Sequence, residues 1–312
     1  MFALMIGFRY EVGGDWLNYI EHFKITSHLR FSEVFGKGDP GHYFVNWAVA
    51  RLGGDVQWVN LLYGSVLMWG TVMFCRKQPW PWLALLVAVP YLLIVVGMGY
   101  SRQAMALGFA LVGLAALGEH RVRAFVVCIA LGALFHKSAV LLLPIAVLAN
   151  SRNRFLTAGM VGATFVLLYF LLLAEDADAL WTNYVEYQMQ SQGAKIRVLM
   201  NAVPALLMLL YGKRLAPDRQ ERRLWTIIAL LALLCLPLVS LASTAVDRVA
   251  LYLIPLQLFV FARIPLLAGT NIRMRTGLVL GVIGYYAAVQ FVWLNFATHA
   301  QYWLPYQFRL FG

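Results

Sequence analysis

The chain has 312 residues, of which 62% are hydrophobic and 12% charged, and its mean hydropathy is +0.71. Soluble domains are about half apolar and about a quarter charged, so this composition excludes a cytosolic enzyme, a disordered chain and a secreted disulfide-rich protein. It predicts an all-α integral membrane protein with a single polytopic domain over residues 1–312. Whether the net charge of +11 marks a nucleic-acid partner depends on where the basic residues lie.

The apolar runs give the predicted membrane path. The first, 1–8, is far shorter than the roughly 20 residues that a spanning helix needs, so this helix either begins upstream or is incomplete. Longer runs lie at about 55–75, 80–98, 103–118, 155–174, 196–211, 224–243, 249–262 and 276–296. The run 124–149 is interrupted by His136 and Lys137, which predicts a re-entrant helical hairpin. With half-membrane helices included, we expect about 10–11 helices.

Two long loops, 10–54 and 175–195, separate some of these runs and are rich in aromatic and charged side chains. Within the first loop, the segment 23–35 predicts an amphipathic interfacial helix. The segment 41–54 is too short to span and predicts a re-entrant or interfacial helix.

Clustered basic residues assign the loops to two faces. The clusters lie at 76–77, 121–123, 152–154, 213–223 and 263–275. Arginine and lysine favour cytoplasmic loops, so the remaining loops lie on the outer face. These outer loops are 10–54, 99–102, 136–138, 175–195 and 244–248. The positive charge is therefore explained by membrane topology, and we expect no nucleic-acid partner.

Motifs of soluble enzymes are absent. The sequence has no phosphate-binding loop, no HExxH and no dinucleotide fingerprint, and Cys75, Cys128 and Cys235 lack zinc-ligand spacing. We therefore expect no cofactor and no metal. Asp176 and Asp178 form a DxD pair like that of many nucleotide-sugar glycosyltransferases. Nucleotide sugars are absent from the outer face, so a solvated acidic loop is the better interpretation.

Charged residues at the outer ends of apolar runs predict a site. They are Arg9, Asp15, Arg102, His136 and Arg248. A single arginine at a helix end can be a snorkelling anchor, but anchors favour the cytoplasmic side and these arginines share the outer face. Arginine binds phosphate oxygens bidentately and stays charged, so the cluster fits a pyrophosphate. Asp15 or a neutral His136 can take a proton from a hydroxyl, and the sequence does not choose between them.

Six short motifs at and around these residues resemble those of the Wzy-like exopolysaccharide polymerases of the EpsG family. They are RYEVGGDWLNY (9–19), DPGHYFVNWAVA (39–50), SRQAMALGF (101–109), FHKSAVLLLP (135–144), DRVALYLIPLQ (247–257) and WLPYQ (303–307). The motifs follow the family order over nearly the whole chain. His42 departs from the pattern, because Tyr or Phe is expected at that position.

The resemblance implies a membrane glycosyltransferase with a helical bundle akin to the O-antigen polymerases (GT-C type). Its substrates, as donor and acceptor, are implied to be undecaprenyl-pyrophosphate-linked oligosaccharide repeat units on the periplasmic face of the bacterial inner membrane. No nucleotide sugar and no metal are implied. Membrane lipids, a chain-length regulator and export proteins of a polysaccharide cluster are the other implied partners.

On this hypothesis Arg102 and Arg248, with Arg9 in support, stabilise the leaving pyrophosphate, and Asp15 or His136 is the base. The predicted substrate contacts come from the same motifs: Trp16, Tyr19, His42, Tyr43, Gln103, Asp247 and Tyr252. Two other functions stay open. His136 can be the base of a membrane acyltransferase that modifies a polysaccharide, or the chain can transport a lipid-linked oligosaccharide. Asp247 can also be no more than an ion-pair partner of Arg248.

Overall fold

The computed structural model describes residues 1–36, 38–149, 154–172 and 193–309. Within these ranges the regular segments are helices, apart from an isolated β-bridge between Arg9 and Phe308. The first half of the chain forms α1 (Phe2–Gly7), α2 (Trp16–Ser27), α3 (Phe31–Val34), α4 (Pro40–Arg51), α5 (Val56–Cys75), α6 (Pro81–Gly99), α7 (Ser101–Gly118), α8 (Val122–Ala133) and α9 (Lys137–Ala149). The second half forms α10 (Arg154–Leu172), α11 (Ala194–Leu215), α12 (Arg219–Leu238), α13 (Ser243–Tyr252), α14 (Pro255–Ala268) and α15 (Ile272–Phe296).

Six of the described helices are long and apolar enough to cross a membrane, namely α5, α6, α7, α10, α11 and α15. Helices α13 and α14 meet at an angle of 45° across a short break, and they form a seventh span if they are counted together. A bilayer core offers no water to the backbone, and a helix satisfies its own N–H and C=O groups. The prediction of an all-α integral membrane protein is therefore confirmed.

The interrupted run 124–149 folds as α8 and α9, two short apolar helices that pack against each other. His136 lies between them in an extended conformation (φ −155°, ψ 106°). The chain therefore folds back on itself at the position where the sequence predicts a hairpin. His136 and the first residues of α9 form the tip of this helix pair.

The predicted helix over 23–35 is wrong, because the segment divides into the end of α2 and the short helix α3. Helix α2 ends at Ser27, whose hydroxyl donates to the Lys24 carbonyl at 2.7 Å. Arg30 is extended, and its backbone N–H donates to the Glu33 carboxylate at 2.7 Å. This contact starts a new helix at its N-terminus, as in a capping box. The predicted short helix at 41–54 is present as α4, which begins with Pro40 at its first position.

The last sequence motif packs against the first. The backbone N–H of Gly13 donates to the Tyr302 carbonyl at 2.8 Å, and that of Tyr10 donates to the Gln307 carbonyl at 3.0 Å. The Trp303 indole lies so close to Gly99 that a Cβ atom there would be 2.5 Å from its ring. Because Gly99 ends α6 just before α7 begins, the WLPYQ motif supports the turn that precedes Arg102.

Helix α7 runs between two ends of the bundle where loops meet. At one end, Lys77 contacts Glu119 at 2.5 Å, and Arg263 bonds to Gln78 and Glu221. We call this the basic end (residues 76–80, 119–121, 216–223 and 263). At the other end lie residues 9–15, 39, 100–102, 136–138 and 247–248, which we call the site end. Loops predicted to share a face therefore lie together. The loop 175–195, with Asp176 and Asp178, lies almost entirely outside the described residues.

Helices α5 and α7 approach each other closely at two glycines. A Cβ atom at Gly70 would lie 2.0 Å from the Gly108 carbonyl oxygen, and one at Gly108 would lie 2.6 Å from the Val66 carbonyl oxygen. Both distances are far below van der Waals contact, so only glycine permits this approach. The contact fixes the position of α7, and with it the position of Arg102.

Candidate active site

A cavity of about 680 Å³ opens at the site end. Its polar lining consists of Asp39, Arg102, His136, Lys137, Ser138 and Arg248. These residues come from the start of α4, the first turn of α7, the tip of the α8–α9 hairpin, and α13. The remaining lining is apolar and comes mainly from α9, α10, α12 and α13. The cavity is therefore amphiphilic, with a cationic end and a long apolar wall.

Arg102 is paired with Asp39. A guanidinium nitrogen of Arg102 donates to Asp39 Oδ2 at 3.0 Å, and the backbone N–H of Lys137 donates to Asp39 Oδ1 at 3.3 Å. The Asp39 side chain is 6% exposed, whereas that of Arg102 is 35% exposed. Burial raises the pKa of the Asp39 carboxyl, and the positive charge of Arg102 opposes that rise. Asp39 is not predicted as a site residue from the sequence, because nothing in the sequence distinguishes a buried loop carboxylate from a solvated one.

His136 is held between Arg248 and Ser138. The distance from Arg248 Nη1 to His136 Nε2 is 3.2 Å, and Ser138 Oγ lies 2.6 Å from His136 Nδ1. A guanidinium can only donate, so Nε2 accepts and carries no hydrogen. The neutral ring then has its hydrogen on Nδ1 and donates it to Ser138. Tyr252 is buried behind this group, with its hydroxyl 3.5 Å from Ser138 Oγ.

Two predicted substrate contacts hold the segment that carries Arg248. Gln103 Nε2 donates to the backbone carbonyl of Arg248 at 2.9 Å and so links α7 to α13. Asp247 accepts two hydrogen bonds from Arg197 of α11, and the two side chains are 7% and 9% exposed. Asp247 therefore has an ion-pair partner on another helix. The sequence does not predict a role for Arg197, because it lies inside the predominantly apolar run 196–211.

Arg9 is fully buried and does not line the cavity. Its guanidinium donates to two backbone carbonyls of its own segment, to Asn60 Oδ1 at 3.1 Å and to Ser101 Oγ at 2.7 Å. These bonds use four of the five guanidinium N–H groups, and the side chain is 0% exposed, so Arg9 is not accessible to a pyrophosphate in the cavity. The structure thus separates Arg9 from Arg102 and Arg248. Arg9 instead fixes Ser101, the first residue of α7, directly beside Arg102.

The predicted residues at the start of α2 lie near Arg102 but outside the cavity lining. Trp16 is 5% exposed, and the Arg9 guanidinium lies 5.8 Å from the centre of its ring, so little of the ring is accessible to a sugar. Asp15 is half-buried and Tyr19 is buried. Both of them interact electrostatically with Arg102. Neither is among the residues that line the cavity.

His42 belongs to a packed group of rings beside Asp39. Its Nδ1 lies 2.9 Å from the Tyr63 hydroxyl, and it is 2% exposed. The rings of Tyr19, His22 and Tyr43 pack around it at angles of 60° to 74°. Burial lowers the pKa of His42, so its ring is neutral. We call Tyr19, His22, His42 and Tyr43 the aromatic cluster.

Lys137 and Ser138 are two further cavity residues that the sequence analysis did not assign to the site. Both follow His136 directly, and only the reversal of the chain at this point brings them to the space shared by Arg102 and Arg248. In the part of the chain that the structure describes, no three His, Cys, Asp or Glu side chains lie close enough together to hold a metal ion.

The fold and the cavity define a multi-pass, all-α membrane protein with a cationic and amphiphilic cavity at one end of its bundle. A family model described as the EpsG family matches residues 1–308, so the chain belongs to the EpsG family. EpsG proteins are Wzy-like polymerases, which confirms the resemblance seen in the six motifs. The chain is therefore an exopolysaccharide polymerase-type membrane protein. No curated protein and no solved structure matches it.

Proposed function

We propose that the protein joins oligosaccharide repeat units, each carried on undecaprenyl pyrophosphate, into a longer polysaccharide. The observation that carries this proposal is the amphiphilic cavity, in which cationic side chains meet the end of an apolar wall. A pyrophosphate on a polyprenyl chain has the same division into a charged head and an apolar tail. Membership of the EpsG family supports the same substrate class.

The charged end of the cavity suits a pyrophosphate. Arg102, Lys137 and Arg248 bring three positive charges to a lining in which Asp39 is the acidic residue. Guanidinium groups match phosphate oxygens through paired N–H donors and remain ionised. Negative charge grows on the pyrophosphate as it leaves, and donors fixed in advance stabilise such charge effectively. Arg102 and Arg248 are therefore assigned to the leaving group.

The apolar wall suits a polyprenyl chain. Phe165 and Tyr169 of α10 line it together with Leu231, Leu234 and Leu238 of α12. Phe165 is 39% exposed and Leu234 is 53% exposed, so the wall continues to the surface of the bundle. A lipid tail can thus reach the charged end of the cavity from the bilayer while its apolar surface stays away from water.

In the proposed reaction a hydroxyl of one repeat unit attacks the anomeric carbon of another, and the lipid pyrophosphate leaves. The aromatic cluster borders Asp39, and its half-buried members His22 and Tyr43 are the ones most accessible to sugar rings. Gln103, Asp247 and Tyr252 act on the site through Arg248 and Ser138. Trp16 acts through Arg9.

We propose that this site faces the periplasm at the bacterial inner membrane. Clustered arginine and lysine at the basic end favour the cytoplasm, and the cavity lies at the opposite end of α7. A reporter fused after Arg123 is then expected to be cytoplasmic, and one fused after Gly54 periplasmic. A chain-length regulator and export proteins are the partners expected for such a polymerase.

The test uses membranes that contain the protein, supplied only with lipid-pyrophosphate-linked repeat units. Longer glycans and free lipid pyrophosphate are expected without added nucleotide, acyl-CoA or ion gradient. Membranes with an equal amount of the Arg248→Lys protein serve as the matched control. If product forms only with an acyl donor, the protein is an acyltransferase. If the repeat units cross the membrane at unchanged length, the protein is a transporter.

A further inference from the structure

We propose that Asp39 is the general base of the transfer and takes the proton of the acceptor hydroxyl. The assignment rests on the proposed function, because it requires a hydroxyl acceptor and a pyrophosphate donor in this cavity. It makes Asp39 the acceptor side of the cavity and His136 and Arg248 the donor side, with Arg102 bonded to Asp39 and also serving the leaving group.

The orientation of Asp39 is unusual for its position in the chain. Asp39 is the N-cap residue of α4, and an aspartate there ordinarily accepts a hydrogen bond from the first turn of its own helix. Its carboxylate makes no such bond. It bonds instead to Arg102 and to the N–H of Lys137, at the cavity lining. Asp39 therefore does not cap its own helix, and its carboxylate lies at the cavity lining instead.

The Asp39 carboxylate also has hydrogen-bond positions left for the hydroxyl of the sugar that is to be extended. An ionised carboxylate offers about four hydrogen-bond acceptor positions. Arg102 and Lys137 use one each among the described residues. His42 of the aromatic cluster lies three residues after Asp39 in the chain. The cluster offers ring surfaces for the sugar that bears the attacking hydroxyl. Asp39 is therefore positioned between the sugar-binding surface and the arginines.

The two bases predicted from the sequence are less suitable. Asp15 is half-buried and does not line the cavity. His136 lines the cavity, but its free lone pair on Nε2 accepts from Arg248, and its Nδ1 is engaged with Ser138. To act as a base, His136 would have to release the arginine that binds the leaving group. Its geometry fits a positioning residue for Arg248.

The proposed step balances in atoms and charge. The acceptor O–H bond breaks and its proton goes to Asp39, while the hydroxyl oxygen forms a bond with the anomeric carbon. The bond between that carbon and the phosphate oxygen breaks, and its electron pair leaves with the pyrophosphate. Asp39 loses one negative charge as the pyrophosphate gains one. Arg102, released from Asp39, can then bind the newly charged oxygen, so the cations stay paired throughout.

The test compares Asp39→Asn with the wild type in single-turnover and steady-state extension of a lipid-pyrophosphate-linked repeat unit. Asparagine keeps the size and one acceptor oxygen but cannot take the proton. The turnover rate is expected to fall by about 10²–10⁴-fold, as is typical for loss of a general base, while the KM for the donor stays the same or falls. Asp39→Glu should recover part of the rate, because it retains a carboxylate.

Asp55→Asn is the matched control. Asp55 is an N-cap carboxylate in the same part of the chain, and it accepts from the Gln57 N–H at 2.9 Å. Asparagine caps a helix about as well as aspartate, so this variant should retain the wild-type rate. An Asp39→Asn protein that keeps a rate within a few-fold of wild type overturns the assignment. A variant that loses donor binding with an unchanged turnover rate also overturns it, because Asp39 would then only orient Arg102.

Two further measurements separate a base from a structural carboxylate. The charged or titratable groups facing Asp39 are Arg102, Lys137, His22, Tyr63 and Tyr252. The base must be ionised, so the wild-type rate should fall as pH drops through the pKa of Asp39. This decrease of the rate at acidic pH, the acidic limb of the pH–rate profile, should be absent in Asp39→Asn.

Direct displacement also inverts the configuration of the anomeric carbon, which NMR of the new linkage reveals. A persistent acidic limb or a retained configuration overturns the proposal.

Failure of the proposed function has a different result. If the wild type itself neither lengthens the repeat units nor releases lipid pyrophosphate, the substrate assignment is wrong. If the wild type does both and Asp39→Asn does so at a normal rate, only the assignment of Asp39 fails.

Discussion

Both ends of the bundle contain a partly buried arginine–carboxylate pair, but the two pairs are built differently. At the basic end, Arg263 donates to both Glu221 oxygens at 2.8 Å, to Gln78 Oε1 at 3.1 Å and to the Leu215 carbonyl at 3.0 Å. Its guanidinium lies 3.8 Å from the centre of the Phe259 ring. The Arg263 side chain is 8% exposed. All three nitrogens of this arginine are bonded, and it joins the loop between α5 and α6 to α11, α12 and α14.

At the site end, Arg102 makes its ion pair with Asp39 through one nitrogen and is 35% exposed at the cavity. The same pair of residue types thus serves two purposes. Where protein groups saturate the guanidinium, the arginine stabilises the fold. Arg102 contacts Asp39 and Tyr19 but is partly exposed and lines the cavity, so it can bind an anion. The degree of saturation distinguishes a structural arginine from a functional one.

The largest effect is expected from Arg102→Lys and Arg248→Lys. Lysine keeps the charge but loses the planar pair of donors that matches phosphate oxygens, so polymer synthesis should fall by about 10²–10³-fold. Protein yield and Tm should remain near those of the wild type. Arg123→Lys, at an exposed position at the start of α8, is the control and should leave polymer synthesis unchanged. Wild-type amounts of long polymer from both variants would show that these arginines are membrane anchors.

Arg263→Met should affect stability and leave catalysis intact. Removing Arg263 leaves the Glu221 carboxylate, which is 24% exposed, without its cation, and this costs about 2 kcal/mol in the free energy of unfolding, less than for a fully buried pair. Unfolding in detergent measures this loss, and the rate per folded molecule should equal that of the wild type. The double variant Arg263→Met/Glu221→Gln should regain part of the lost stability. A stable Arg263→Met protein with impaired polymerisation would reverse the roles given to the two ends.

Gly108→Ala tests how α7 supports the site. The new Cβ atom would meet the Val66 carbonyl at 2.6 Å, so α7 must move away from α5, at a cost of about 1–3 kcal/mol. The displaced Arg102 should also lower the polymerisation rate. Gly118→Ala, in the last turn of the same helix, has no atom within 4 Å of the new Cβ. Its stability and activity should be unchanged or slightly improved, and equal effects from both variants would refute the close approach.

The smallest effect is expected from Leu231→Trp, which narrows the apolar wall. The KM for the long-chain donor should rise several-fold, by about 1 kcal/mol or less in binding free energy, with the turnover rate unchanged. A donor with a much shorter lipid should be less affected. Leu230→Trp on the same helix is the control, because Leu230 is 53% exposed and does not line the cavity. Similar KM values for both variants would place the lipid elsewhere.

Much of the fold follows from the sequence. Six of the eight long apolar runs fold as helices that can span a bilayer, because such a helix must be apolar along its length. The run 224–243 instead lies mostly in α12, whose first turn is charged, and the run 249–262 lies in the bent pair of α13 and α14. The interruption at His136 predicts the hairpin. The segment 23–35 is the exception among the short elements, because Glu33 accepts the Arg30 N–H and starts a second helix there. Such local side-chain bonds compete with helix continuation and are hard to see in a hydrophobic pattern.

The site is only partly predictable. Arg102, His136 and Arg248 stand at helix ends in the sequence, and the structure brings them together at one cavity. Arg9 has the same sequence context, yet it is fully buried and four of its N–H groups are bonded within the fold. Asp39 and Arg197 were missed because their importance depends on burial and on partners far away in the chain. The sequence shows where a charged residue lies along a helix. It does not show how many of its N–H groups are already hydrogen-bonded to other protein groups.

The apolar wall between α10 and α12 has a kinetic consequence. Its partly exposed side chains, such as Phe165 and Leu234, continue the cavity to the lateral surface of the bundle. A carrier lipid that enters there reaches the protein by diffusion in two dimensions. The concentration that governs the rate is then the number of carrier molecules per area of membrane, or their mole fraction in a micelle, and not the amount per volume of solution. Adding detergent at a fixed bulk concentration of carrier should therefore slow the enzyme by surface dilution.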